Sequence, residues 1–329
     1  MKTTIPFITI VTPVYNREKE LQRLYESLCQ QTCKEFVWLV ADDGSAASPV
    51  PSGGRGAQCP IRVEEWSQNG FETLYLWKPN GGKHTALNIA FGLVETELLF
   101  IVDSDDVLTP DAVATIKTDW NSLRNAECGT INAEVGRREG TSRKLCGLGY
   151  LRGYSATERI GDAYTQDRFV SDFITERYNR GVNGDKAEVW VTECLRDFRY
   201  PEYPGERFIS ESVAWIWLAE RYDMAFINKI IYITEYLEGG LSDAGRALRF
   251  RSPKNMEYGS LITMSCRFSW KIRIKETLLY IVYRCFDTHP DEDDERLRSL
   301  QRQYRWLTVP LWPAGWLLYR YWKKKYKLS

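Results

Sequence analysis

Leu98-Leu99-Phe100-Ile101-Val102-Asp103-Ser104-Asp105-Asp106 is an apolar run that ends in three carboxylates. The five apolar residues read as a buried strand, which leaves the acids at the edge of a sheet. Asp103 and Asp105, two apart, fall on the same side of an extended segment. Hard cations such as Mg²⁺ and Mn²⁺ prefer carboxylate oxygen and commonly hold substrate phosphates as well. Surface turns are also rich in Asp, so a bare turn explains the same letters.

Two further strands also end in polar clusters. Phe7 to Val14 is a β-branched run followed by Tyr15-Asn16-Arg17, and Leu21, Leu24 and Leu28 then recur at helical spacing. Phe36 to Ala41 is a second apolar strand, ending in Asp42-Asp43-Gly44-Ser45. Phe71 to Trp77 reads as a strand, and Lys83 to Val94 as a helix with Ala86, Leu87, Ala90 and Phe91 on its apolar stripe. This alternation predicts an α/β fold with a mostly parallel, Rossmann-like sheet whose ligands bind beyond the strands' carboxyl ends.

Thr12-Pro13-Val14-Tyr15-Asn16-Arg17, Ala41-Asp42-Asp43-Gly44-Ser45, Asn80-Gly81-Gly82-Lys83-His84-Thr85-Ala86-Leu87-Asn88 and Val102-Asp103-Ser104-Asp105-Asp106 occur in that order. Together they resemble family 2 glycosyltransferases of the GT-A fold, a group that includes builders of bacterial surface polysaccharides. The resemblance is dense from Phe7 to Pro110 and resumes at Asn183 to Glu188 and Gly205 to Glu211. It implies a metal-dependent inverting transfer of a sugar from a nucleotide-sugar, with a UDP-sugar favoured, to a lipid-linked or oligosaccharide acceptor.

The resemblance also distributes roles. Thr12, Pro13, Tyr15 and Asp42 match the base-binding elements. A carboxylate at Asp42 can accept the imide N–H of uracil or thymine, and Tyr15 offers a face for stacking, with an ordinary core aromatic at a strand end as the alternative. Asp103 and Asp105 match the DxD pair: Asp105 as ligand of Mn²⁺ or Mg²⁺, Asp103 near the ribose or a metal-bound water. Asp106 is open between a metal role and capping a helix near Pro110. Lys83 and the backbone N–H groups of Gly81 and Gly82 precede a helix and could face phosphate or base. The spacing is not that of a P-loop.

Asp185 and Lys186 are candidate contacts to donor hydroxyls or acceptor, or equally a turn entering a strand. The catalytic base falls on Glu211, in Ser210-Glu211-Ser212, where Ser212 stands in place of the family's usual Asp. Glu206 and Asp185 are substitutes, and Glu211 could instead be a carboxylate favoured by a helix N-terminus. Tyr236 to Ser242, with its Gly239-Gly240 pair, is a candidate loop for closing over nucleotide. A sugar nucleotidyltransferase is the alternative enzyme, but the expected Gly-rich, Arg-containing loop is missing after the first strand. A non-catalytic nucleotide- or lipid-binding partner is the other alternative, supported by Ser212 alone.

Bulk properties bound the rest. The 329 residues carry 44 basic and 44 acidic side chains, so no global field draws the chain to nucleic acid. Eight Cys without CxxC pairs and two His give no zinc framework, and the thiols, Cys29 and Cys33 included, read as free. Met1 to Pro6 leads straight into the first strand, so the chain is expected in the cytoplasm. Residues 1–250 are expected to form the catalytic domain, with 1–110 binding nucleotide and 111–250 acceptor. Residues 251–329 are expected to form a helical extension.

Trp306 to Trp322, interrupted by Pro310, Pro313 and Arg320, is short for a membrane span. Its aromatic residues and the following Lys323, Lys324, Lys325 and Lys327 suit the headgroup level of a membrane, at the inner face of which a lipid-linked acceptor would lie. A C-terminal helix docked on the protein's own core, with solvated lysines, accounts for the same residues.

Overall fold

The computed structural model describes residues 6–45, 66, 69–128, 136–137, 143–234, 248–287 and 294–326. The loop from Ala46 to Gln58, the Tyr236 to Ser242 loop and residues 291–293 of the acidic patch lie outside the described residues. Two compact units emerge, one of residues 1–172, 182–198 and 221–236, the other of residues 173–181, 199–220 and 237–329.

The first unit is built on one sheet. β1 (Ile8–Val14), β2 (Phe36–Asp42), β3 (Glu72–Trp77) and β4 (Leu98–Ile101) pair in parallel in the order β3-β2-β1-β4. Every residue of β1, β2 and β4 is buried, as continuous apolar runs demand when both faces of a parallel sheet are covered. Helices α1 (Glu18–Cys29) and α2 (Lys83–Leu93) connect these strands, and α1 buries Leu21, Leu24, Tyr25 and Leu28 on one face. Pro13 is tolerated in a central strand because of its register. Val102 N–H donates to the Val11 carbonyl, so Pro13, two residues on, turns its missing N–H toward β4 where that strand has ended.

Beyond β4 the sheet becomes mixed. After β5 (Val107–Leu108), α3 (Ala112–Cys128) and β6 (Gly136–Arg137) come β7 (Leu145–Gly153), β8 (Phe169–Ser171), β9 (Lys186–Val191), α4 (Thr192–Leu195) and β10 (Asp223–Ile233). β9 inserts antiparallel between β4 and β7, and β10 runs parallel to β7 on its other side. The expected α/β sheet flanked by helices is therefore present, with its parallel part confined to the N-terminal strands and the β7–β10 and β6–β8 pairs.

The second unit is helical. It holds a π-helical turn (Ile174–Asn179), α5 (Ser212–Ala219), α6 (Pro253–Ile262), α7 (Trp270–Phe286), α8 (Glu295–Gln303) and α9 (Arg305–Lys325). Pro253 opens α6, where its missing N–H costs nothing. The next two N–H groups, of Lys254 and Asn255, donate at 2.8 Å to the Glu206 carboxylate. Glu206 thus caps a helix. Glu257, one turn into α6, is fully buried and lies 4.0 Å from Arg284.

Burial pushes Glu206 up to about 7 and Glu257 up to about 8, against an ordinary 4.5. A carboxyl raised by folding stays protonated when the unfolded chain has already ionised. Its contribution is therefore full below the unfolded value and is lost as pH rises through the folded one. Stability should fall between pH 4.5 and about 8. Glu257→Gln, neutral at every pH, is expected to raise the melting temperature at pH 8 by roughly 3 °C or more and to change it little at pH 5. Melting curves across that range check the sign.

Candidate functional site

The carboxyl ends of β1, β2 and β4 converge, as their parallel register requires. Val14 stands opposite Asp42, and Val11 opposite Ile101, two residues before Asp103. Asp42 is fully buried. One of its oxygens accepts the Ser45 N–H at 2.7 Å and the other the Tyr75 hydroxyl at 2.6 Å. Each keeps a second lone pair. Tyr15, just past β1, is about half exposed, so it is not a core aromatic. The Thr12 hydroxyl, by contrast, is buried and accepts the Trp38 indole N–H at 3.0 Å. Its side chain serves the sheet, and Pro13 is likewise buried.

Asp43 does work that the sequence did not suggest. Its carboxylate accepts the Gly81 and Gly82 N–H groups at 2.9 and 2.7 Å and pairs with Lys78 at 2.7 Å. This corrects the expectation that those backbone N–H groups face phosphate: an internal carboxylate already takes them. Gly44, at φ +85°, lets the chain pass closely here, because a Cβ would lie 2.5 Å from the Asn80 nitrogen. With the turn fixed, α2 begins at Lys83, whose ammonium pairs with Asp103. His84 is buried in the first turn of α2, and Asn88 is buried one turn on.

The acids after β4 divide by environment. Asp103 and Asp105 remain partly open, whereas Asp106 is buried. Arg152, on β7, reaches Asp103 at 3.7 Å and Asp106 at 3.5 Å. Its guanidinium stacks 3.9 Å over the Tyr232 ring, and its Nε donates to the Lys186 carbonyl. The Tyr232 hydroxyl in turn accepts the Asp103 N–H at 2.9 Å. Burial would raise the Asp103 carboxyl, but Lys83 and Arg152 outweigh it and hold it below its ordinary value. For Asp106 burial wins, reinforced by the Asp103 charge, and its carboxyl rises to about 7.

Asp106 does not cap a helix. The turn into α3 is closed by Thr109 and Asp111 instead. Arg152 and Tyr232 were missed because they lie far from the acids in sequence. The one available signal was an Arg within the apolar strand Leu148-Gly149-Tyr150-Leu151-Arg152.

Asp105 has Arg17 at 4.0 Å from its carboxylate, and its backbone carbonyl accepts from Arg23 at 2.8 Å. Among the described residues no group of three or more His, Cys, Asp or Glu could hold a metal ion. A closed protein cage is therefore not what these residues fit. One partly open carboxylate, completed by substrate phosphates and water, is a common way of holding Mg²⁺, and Asp105 fits it.

Asp185 is exposed at the entry to β9. Lys186 is not available as a contact. Its buried ammonium donates to the Asn183 carbonyl at 2.8 Å and lies near those of Gly184 and Ile160, satisfying a turn from inside. In the second unit, Glu211 immediately precedes α5 and is half-buried. Its carbonyl accepts the hydroxyl of buried Tyr200 at 3.1 Å, and Ser210 and Ser212 hydrogen-bond to each other at 2.7 Å on either side of it. Glu206, a substitute candidate for base, is committed to capping α6.

The family model described as Glycosyl transferase family 2 matches residues 9–167. An undecaprenyl-phosphate 4-deoxy-4-formamido-L-arabinose transferase of Photorhabdus laumondii is 28% identical over 62% of this chain and 65% of its own length. Glycosyltransferase GlyA of Streptococcus pneumoniae is 31% identical over 33% of this chain and 14% of its own. The chain thus spans less than two thirds of either relative. The crystal structure of S. aureus TarS 1-349 in complex with UDP-GlcNAc has a TM-score of 0.52 at 15% identity, covering 89% of this chain and 78% of that one. That likeness is one of fold, of the GT-A type.

Arg152→Gln would leave Asp106 buried beside Asp103 with no full positive charge between them. It is expected to cost roughly 2–3 kcal/mol, below the value for a wholly buried pair because Asp103 is partly open. Chemical denaturation measures the loss, and Arg152→Lys should recover part of it.

Proposed function

We propose, from the match of residues 9–167 to the Glycosyl transferase family 2 model, that this chain is a metal-dependent inverting glycosyltransferase of that family using a UDP-sugar. Its acceptor is a lipid-linked or oligosaccharide chain in cell-surface polysaccharide synthesis. The single observation that carries this reading is the grouping of Lys83, Asp103 and Asp105 at the end of β4, two strands from Asp42 at the end of β2. A base-reading carboxylate and a phosphate-side cluster on one sheet edge suit a nucleoside diphosphate.

In this mechanism Asp42 accepts the imide N–H of the base, and Tyr15 stacks on its face. Asp103 faces the ribose. Lys83, now paired with Asp103, has a cation to offer the diphosphate. Asp105 would hold Mn²⁺ or Mg²⁺, which when bound would supply Lewis-acid neutralisation of the leaving diphosphate. Glu211 takes the proton from the acceptor hydroxyl as its oxygen attacks the anomeric carbon in line, and the C–O bond to the diphosphate breaks. The nucleotide half is residues 1–110 and the acceptor half residues 111–250, with Asp185 among the sugar contacts. The enzyme works in the cytoplasm, peripherally at the inner membrane face, with its aromatic, Lys-rich C-terminus toward the lipid. The Photorhabdus relative, named as an undecaprenyl-phosphate transferase, supports a lipid-linked acceptor.

Donor hydrolysis across a panel of sugar nucleotides, with and without Mn²⁺, tests the reading. One donor should release UDP in a metal-dependent manner, and Asp105→Ala should abolish the metal dependence. Failure of every nucleotide to bind would overturn the proposal. With the acceptor supplied, Glu211→Gln should lower kcat by about 10²–10⁴-fold while donor affinity is retained. An unchanged kcat would remove Glu211 as the base.

A further inference from the structure

α7 and α9 pack in parallel along their whole shared length. Trp270 meets Trp306 at one end with ring centroids 6.0 Å apart, and Phe286 meets Tyr319 at the other at 4.8 Å. Between them the helices touch at Gly315, where a Cβ would lie 2.6 Å from the Ile281 side chain. Only glycine permits that approach. Leu307, Thr308 and Gly315 are buried on this seam.

On the side of α9 away from Gly315, large apolar side chains stay open to solvent. Trp306, Val309, Trp312, Trp316 and Leu317 are all exposed, Leu317 at 62%. The same face continues onto α7, because Trp270, at 57%, lies against Trp306, and exposed Ile274 follows one turn later. Arg273 stacks against both indoles from beneath, 4.3 Å from Trp270 and 5.4 Å from Trp306, and so fixes the junction. Contiguous large apolar exposure of this kind marks an interaction surface.

Charge narrows the choice of partner. From Trp306 to Tyr319 α9 carries no charged residue, and Arg320 and Lys323, Lys324 and Lys325 follow. At the other end exposed Lys271 and Lys275 flank Trp270 and Ile274 on α7. The acid that follows them, Glu276, is largely buried and pairs with Lys275 at 3.3 Å. The apolar face is thus bracketed by cations at both ends, with no acid on α9. An anionic lipid surface complements this pattern, each nearby Lys or Arg contributing about 1 kcal/mol. A second copy of the chain would bring like charges together.

Pro310 and Pro313 set the depth. Both are exposed, and neither has an N–H to give the carbonyls of Trp306 and Val309 four residues earlier. Backbone carbonyls freed of helical donors are favoured where water can reach them, which suits the hydrated headgroup level. No helix of the described residues is long and apolar enough to cross a membrane.

We propose that α7 and α9 form one docking face for an anionic lipid bilayer, lying flat at headgroup depth. The proposal rests on the membrane-facing reading above and extends it by making α7 an equal part of the surface. Binding is measured on the full chain without donor or acceptor, so it stands or fails independently of catalysis. The chain should sediment with vesicles of phosphatidylcholine and phosphatidylglycerol, release as salt rises, and bind far less to phosphatidylcholine alone. Ile274→Glu on α7 and Leu317→Glu on α9, both at exposed positions, should each weaken binding about tenfold or more, a loss of about 1.4 kcal/mol. Melting temperature and donor hydrolysis should be unchanged. Loss from Leu317→Glu alone would exclude α7 and overturn the two-helix face. Equal binding to neutral vesicles, no binding, or concentration-dependent dimerisation abolished by the same variants would overturn the lipid assignment.

Discussion

Three carboxylates within four residues at the end of a buried strand repel one another, and the first unit is arranged around that repulsion. Arg152 enters from β7, two strands from β4, and lies between Asp103 and Asp106. The Tyr232 ring beneath it and the Lys186 carbonyl beside it hold the guanidinium in place. Lys83 approaches Asp103 from the start of α2. Two cations therefore serve the acids from inside the fold, and among the described residues the Asp105 carboxylate has Arg17 at 4.0 Å. A carboxylate with spare lone pairs facing outward is a suitable metal ligand. The same fold keeps its neighbours occupied.

A second carboxylate orders the other side of the site. Asp43 gathers the Gly81 and Gly82 N–H groups and the Lys78 ammonium, so the position of α2, and with it Lys83, depends on an acid at the end of β2. Adjacent Asp42 and Asp43 have different duties because Asp42 ends β2 and Asp43 lies in the bend that follows. The first meets Ser45 and Tyr75, the second the glycine turn.

Buried acids recur in the second unit with a different outcome. Glu206 takes two backbone N–H groups of α6 and Glu257 sits near Arg284, yet desolvation prevails over these partners in both. The helices around them present their remaining apolar surface outward. α9 is amphipathic in an unusual sense: its inner face is narrowed by Gly315 to reach α7, and its outer face is aromatic.

By itself, the sequence determined the order of strands and helices in the N-terminal half and the family resemblance. Apolar runs that stop at Asp42 and Asp103, and stripes at Leu21, Leu24 and Leu28, reflect local backbone periodicity, which is written in neighbouring residues. It also marked Asp42, Tyr15, Lys83, Asp103 and Asp105, which the structure gathers at the ends of β1, β2 and β4. Tertiary structure decided which way individual side chains turn. Thr12 faces Trp38, Lys186 turns inward to carbonyls, Asp106 meets Arg152 rather than a helix, and Glu206 caps α6. Thr12, Asp106 and Glu206 make those choices with partners 26 to 48 residues away, brought alongside by the fold, whereas Lys186 turns to a carbonyl three residues back. A residue's type states what it can bond to, but only the fold determines which partner is within 3 Å.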